Sequence, residues 1–148
     1  MNKLMYFLMF CVFNLFASDA SDASKLVGKW NFDLEATQKT KEYKALKEVP
    51  SHLGFFKGVS TEFTAEGKLI QSKNGKVMMT MAYKVVAQKG SELHVEIIKP
   101  KNGKVVDQQV CEINDAGLLV LHLAKKDFTK IMAPGDVPLV MSKDKKSK

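Results

Sequence analysis

From about residue 25 onward, apolar and polar positions follow one another with a period of two, the spacing of a half-buried β-strand. Over Lys25 to Leu34, Trp30, Phe32 and Leu34 alternate with Asn31 and Asp33, so a first strand is predicted there. The period then lengthens. Glu35 to Val49 is rich in Lys, Glu and Ala, and Ala36, Tyr43, Leu46 and Val49 fall on part of one helical face. One helix is predicted, ended by Pro50, which cannot extend a helix and restricts the residue before it. Ser51 to Gly58, with Leu53, Phe55 and Phe56, reads as an apolar loop returning to the body of the domain.

Short strands with turn residues between them follow. Ser60–Thr64 leads through Ala65-Glu66-Gly67 to Lys68–Ser72, and Asn74-Gly75 has the composition of a two-residue type I′ turn. Val77–Ala87 and Glu92–Lys99 come next, then Lys104–Ile113 after Asn102-Gly103, then Leu118–Leu123. Phe128–Met132 and Leu139–Lys143 complete the pattern, separated by Pro134, Gly135 and Pro138. The total is eight or nine strands. Tight turns between successive strands make a meander, and eight strands are about what closes a small barrel. An open sheet of that size would leave two edges and one apolar face bare. The fold class expected is therefore mainly β: a single antiparallel up-and-down barrel of about eight strands, with one helix after the first strand. Lys73-Asn74-Gly75-Lys76-Val77 recurs as Lys101-Asn102-Gly103-Lys104-Val105. A duplicated hairpin or two generic turns in a lysine-rich chain would each produce that echo.

The N-terminus has a different character. Asn2-Lys3 precede the uncharged run Leu4 to Phe16, and Ser18-Asp19-Ala20 offers a small-x-small exit. That order is a secretory signal peptide over residues 1–20, and the run is too short to span a bilayer. An exported product, periplasmic or secreted, is expected, with a barrel over residues 21–142 and a lysine-rich tail over 143–148. Cys11 leaves with the signal, so Cys111 has no intramolecular disulfide partner and an ordinary hydrophobic core must supply stability.

A net charge of +7 invites a nucleic-acid reading, but every basic residue is lysine. The bidentate guanidinium fork that reads guanine or phosphate is missing, and no nucleic-acid partner is expected. Four of the lysines lie in the last six residues, a solvated tail or at most a weak contact with an anionic envelope surface.

Leu26-Val27-Gly28-Lys29-Trp30, a Gly-x-Trp on the first strand, resembles the opening motif of lipocalins. With Glu62-Phe63-Thr64-Ala65-Glu66-Gly67-Lys68-Leu69 and Tyr83-Lys84-Val85, the chain resembles the small bacterial lipocalin-like domains of exported proteins. The resemblance implies that Gly28 lets the chain bend at one barrel end, that Trp30 plugs that end, and that a basic residue of the last strand lies over the indole. The family uses arginine there; here Lys143 or Lys130 stands in its place.

Catalytic and metal signatures are weak. His94-Val95-Glu96 matches the H-x-E of zinc deaminases without the Pro-Cys-x-x-Cys that completes it. Alternation puts His94 and Glu96 on the face opposite Leu93, Val95 and Ile97, expected to be solvated. Cys111, His94 and His122 are three scattered ligands where a structural zinc site wants four. No catalytic residue, metal or cofactor is expected. Met79, Met81, Tyr83 and Val85 form one stripe of the longest strand, facing the same way as Leu93, Val95 and Ile97 on its partner. These seven are the candidate lining for a small hydrophobic ligand, and equally the filling of a packed barrel.

Overall fold

The computed structural model describes residues 23–131 and 137–145. Residues 1–20, expected to be a signal peptide, together with Met132, Pro134, Gly135 and the end of the lysine tail, lie outside the described residues. Eight strands form: β1 (Gly28–Phe32), β2 (Val59–Phe63), β3 (Lys68–Lys73), β4 (Lys76–Lys89), β5 (Glu92–Ile98), β6 (Val105–Ile113), β7 (Leu119–Leu123) and β8 (Leu139–Lys143). Each pairs antiparallel with the next and β8 pairs with β1, so the sheet closes as an up-and-down barrel. Closure leaves no bare edge, as the meander required.

Turn chemistry explains the first corner at the β3–β4 hairpin. Asn74 and Gly75 have φ of 51° and 80°, the two left-handed residues that a type I′ turn needs. Its echo is built differently. Gly103 has φ of 68° and its N–H donates to Lys99 O, but Asn102 is not left-handed, so the β5–β6 loop is longer. The repeated sequence is not a repeated turn.

Two local expectations fail for identifiable reasons. The single helix over 35–49 is instead two short ones, α1 (Leu34–Gln38) and α2 (Lys41–Lys44), followed by a 3-10 segment at Ser51–Phe56. Thr40 lies between α1 and α2 with an extended backbone, its Oγ1 accepting from Tyr43 N. A hydroxyl that caps a new helix start competes with continuing the old one. Phe128–Met132 was expected to be a strand, yet Phe128 has φ of 60° and only an isolated bridge between Ala124 and Lys130 joins this stretch to the sheet. The hydrogen bond from Phe128 N to Lys125 O and that from Thr129 N to Asp127 Oδ1 make it a turn. Lys143, which the sequence counts both as the end of the last strand and as the start of the tail, is the last residue of β8.

The barrel has two unlike ends. At one, the β2–β3, β4–β5 and β6–β7 turns meet the chain entering β1. At the other lie the β3–β4 and β5–β6 hairpins, α1, α2, the 3-10 segment and the return from β7 to β8. Between them the interior holds Leu26, Trp30, Phe63, Leu69, Leu119 and Met141, together with Leu93, Val95, Ile97 and Cys111, all buried.

Candidate functional site

The β1–β8 register sets Trp30 opposite Lys143. Trp30 is 2% exposed and its Nε1–H donates to Leu26 O at 2.8 Å, which satisfies the buried indole. The Lys143 ammonium lies 5.2 Å from the indole centroid, within cation–π range. Gly28 has φ of 135°, and a Cβ there would sit 2.8 Å from Lys143 Cε. Gly28, Trp30 and Lys143 thus come together at one end. Lys130, the alternative, instead pairs with Glu92 on the outer wall.

The other end holds a cavity of about 170 Å3. Phe32, Val59, Leu121, Leu139 and Met141 line it from the strands, Phe56 from the 3-10 segment, and Ile131, Val137 and Pro138 from the return to β8. Leu123 and His122 of β7 complete the wall, and three further polar residues belong to it. Thr61 and Gln71 are cross-strand partners on β2 and β3, and Gln109 faces them from β6. The Gln109 amide donates to Asp107 Oδ2 at 3.3 Å. Thr61 is also the partner of Trp30, so the Thr61–Gln71 pair borders the plugged half, while Gln109 lies level with Leu123.

None of the seven residues expected to line a cavity lines this one. Leu93, Val95 and Ile97 are buried in the core, while Met81, Tyr83 and Val85 pack against it, half-buried. Tyr83 sits edge-on to Phe63 at 5.0 Å, and its hydroxyl donates to Thr64 O at 2.8 Å. Burial, and then Glu66, push its phenol pKa up. Met79, inward by register against Gln71, is 39% exposed. Alternation correctly gave the inward face; the half of the barrel that stays unfilled follows from register around the whole circle. The apolar run with Phe56 was visible, but only its return over the mouth makes it lining.

His94 was expected to be solvated, and this is corrected. It faces outward but is 6% exposed, because Phe128 from the β7–β8 connection stacks on it with centroids 4.6 Å apart. His122 is a near neighbour: Val110 pairs with His94 on one side and with His122 on the other. Burial, and then Lys130, lower the His122 pKa. Glu92 is held below its usual value chiefly by its hydrogen bond from Lys130. Burial pushes the Cys111 thiol up to about 12, which keeps it an unreactive core side chain.

No family model, curated protein or solved structure matches the chain. The site therefore rests on its own geometry. Among the described residues, no group of three or more His, Cys, Asp or Glu is arranged to hold a metal ion. No helix of theirs is long and apolar enough to cross a membrane.

Proposed function

We propose that this is an exported, non-catalytic, lipocalin-like domain that holds a small apolar molecule in the mouth of its barrel. The observation that carries the reading is the unfilled volume at one end, set against a plugged and packed volume at the other. A cavity of about 170 Å3 is close to the roughly 150 Å3 of an apolar cavity known to take up benzene, and below the range for drug-sized ligands. Its walls suit a ring or short chain. The hydroxyl and amides of Thr61, Gln71 and Gln109 suit one hydrogen-bonding group carried on an apolar body. His122 is the one titratable side chain of the lining and has no carboxylate or thiol beside it there, which supports a role without catalysis. Export rests on the charged start, apolar run and small-residue exit of residues 1–20.

Titration with an environment-sensitive naphthylamine tests the binding directly. Saturable uptake at micromolar concentration is expected, and Leu121→Trp, which fills the cavity, should abolish it without unfolding the protein. Absence of uptake by folded protein, or unchanged uptake by Leu121→Trp, would overturn the reading.

A further inference from the structure

The repeated segment noted in the sequence acquires a common setting in the fold. Lys73-Asn74-Gly75-Lys76-Val77-Met78 and Lys101-Asn102-Gly103-Lys104-Val105-Val106 form the tips of successive hairpins, β3–β4 and β5–β6, at the open end of the barrel. Their turns differ, so turn geometry does not account for the likeness. What they share lies on either side of the turn.

Each tip carries a β-bulge at the same place. Ser72 pairs with Val77 and Gln71 with Met79, which makes Met78 the extra residue. Ile98 pairs with Val105 and Ile97 with Asp107, which makes Val106 the extra residue. A bulge turns a side chain out of the regular alternation. The outcome is two adjacent apolar residues exposed on each tip: Val77 and Met78 at 57% and 45%, Val105 and Val106 at 40% and 42%. Each pair follows two lysines, and neither six-residue tip contains an acid. No described carboxylate forms an ion pair with these four lysines. Phe55, 56% exposed, adds an aromatic ring to the same rim, with the Lys73 ammonium 4.2 Å from its centroid.

We propose that this rim docks on an anionic lipid bilayer. The lysines of the two tips meet the headgroups, and the Val–Met and Val–Val pairs enter the interfacial region between them. Charge complementarity favours this partner: two lysine-bearing tips gain attraction from a continuous negative surface, about fivefold in binding for each lysine near it. Lysine stems lie along apolar surface while their ammonium groups stay in water, so both residue types are satisfied at one interface. The bilayer also fits the arrangement better than a protein partner does. The apolar pairs lie on two separate hairpin tips at the same end of the barrel, each beside its lysines. Docking here would bring the mouth of the cavity to the lipid surface, although the contact itself does not depend on a filled cavity.

Co-sedimentation with large vesicles tests the proposal, using phosphatidylcholine alone or with about one-third phosphatidylglycerol. Matched pairs isolate the rim: Lys76→Glu with Val77→Ser, and Lys104→Glu with Val106→Ser. Lys89→Glu with Val86→Ser, near the plugged end, is the control, since Val86 is also an exposed bulge residue. The N-terminal apolar run is common to all variants. Wild type and control should bind anionic vesicles equally, each rim pair about tenfold or more weakly, and about 0.5 M salt should weaken wild type. Equal binding by rim and control pairs, equal binding to both vesicle types, or no binding by wild type would overturn docking. Retention on a polyglutamate resin without vesicle binding would assign the rim to an acidic protein and also overturn it. Naphthylamine uptake by the rim variants separates this result from the cavity reading.

Discussion

Trp30 illustrates how much one side chain can decide. It is the sole tryptophan, it is buried, and both of its chemical needs are met, the apolar ring by the core and the N–H by Leu26 O. Trp30→Ala should therefore cost about 3–5 kcal/mol by urea denaturation. Lys143→Ala, which removes only the cation over the ring, should cost about 0.5–1 kcal/mol. A tryptophan variant that unfolds at the wild-type midpoint would contradict the plug. At this scale much was legible: alternation puts Trp30 on the inward face, and the resemblance of Gly28-Lys29-Trp30 to the lipocalin opening motif implies its place at one barrel end. Choosing Lys143 over Lys130 was not, because that choice depends on which lysine the β1–β8 register brings opposite the indole.

At the scale of elements, strands and turns were largely readable and helices less so. Period-two patterns separated by Asn-Gly, Gly and Pro locate strands because both signals are local. The helix was misread because helical composition is weak evidence against local caps. Asp33 Oδ1 accepts from Ala36 N to start α1, and Thr40 starts a second helix seven residues later. The threonine between them does more than its sequence suggests. Thr37 is fully buried, its hydroxyl donates to Asp33 O at 2.8 Å, and it accepts from Val140 N at 3.1 Å, which ties α1 to β8. Thr37→Val keeps the shape and strands the Val140 N–H, so a loss of about 1–3 kcal/mol is expected in chemical denaturation. The wall around β7 is expected to respond to acid. His122 has its folded-state pKa below the ordinary 6.5, through burial and then Lys130, with Glu112, Glu42 and Glu92 opposing. Its neutral form therefore stabilises the fold, fully so above the unfolded value, and that contribution is lost as pH falls from about 6.5 toward the lower folded value. Glu92, also lowered, loses its contribution with the same sign at more acidic pH. The urea midpoint should fall between pH 7 and pH 5, and His122→Gln should flatten that part of the profile.

For the whole molecule, the eight-strand barrel was foreseeable from strand number and the need to bury one face, but the cavity was not. Phe32, Val59, Leu121 and Met141 come from β1, β2, β7 and β8, so their meeting exists only once the circle is closed. Sequence alternation reports which way each side chain points and nothing about where eight inward rows leave space. The same circle has a temporal side. Its seam joins the first strand to the last through three residue pairs, Trp30 to Lys143, Asn31 to Ser142 and Phe32 to Met141. A chain lengthening from its N-terminus has β1 in hand for more than a hundred residues before the strand that completes it exists. Until then both flanking strands are bare templates for intermolecular pairing, and the indole lacks its roof. Closure of the barrel must therefore wait for residues 139–143, with the slow kinetics of non-local pairing. A chain stopped after Pro138 should therefore self-associate in light scattering where the full chain does not, and adding a peptide of the β8 sequence during refolding should suppress that association.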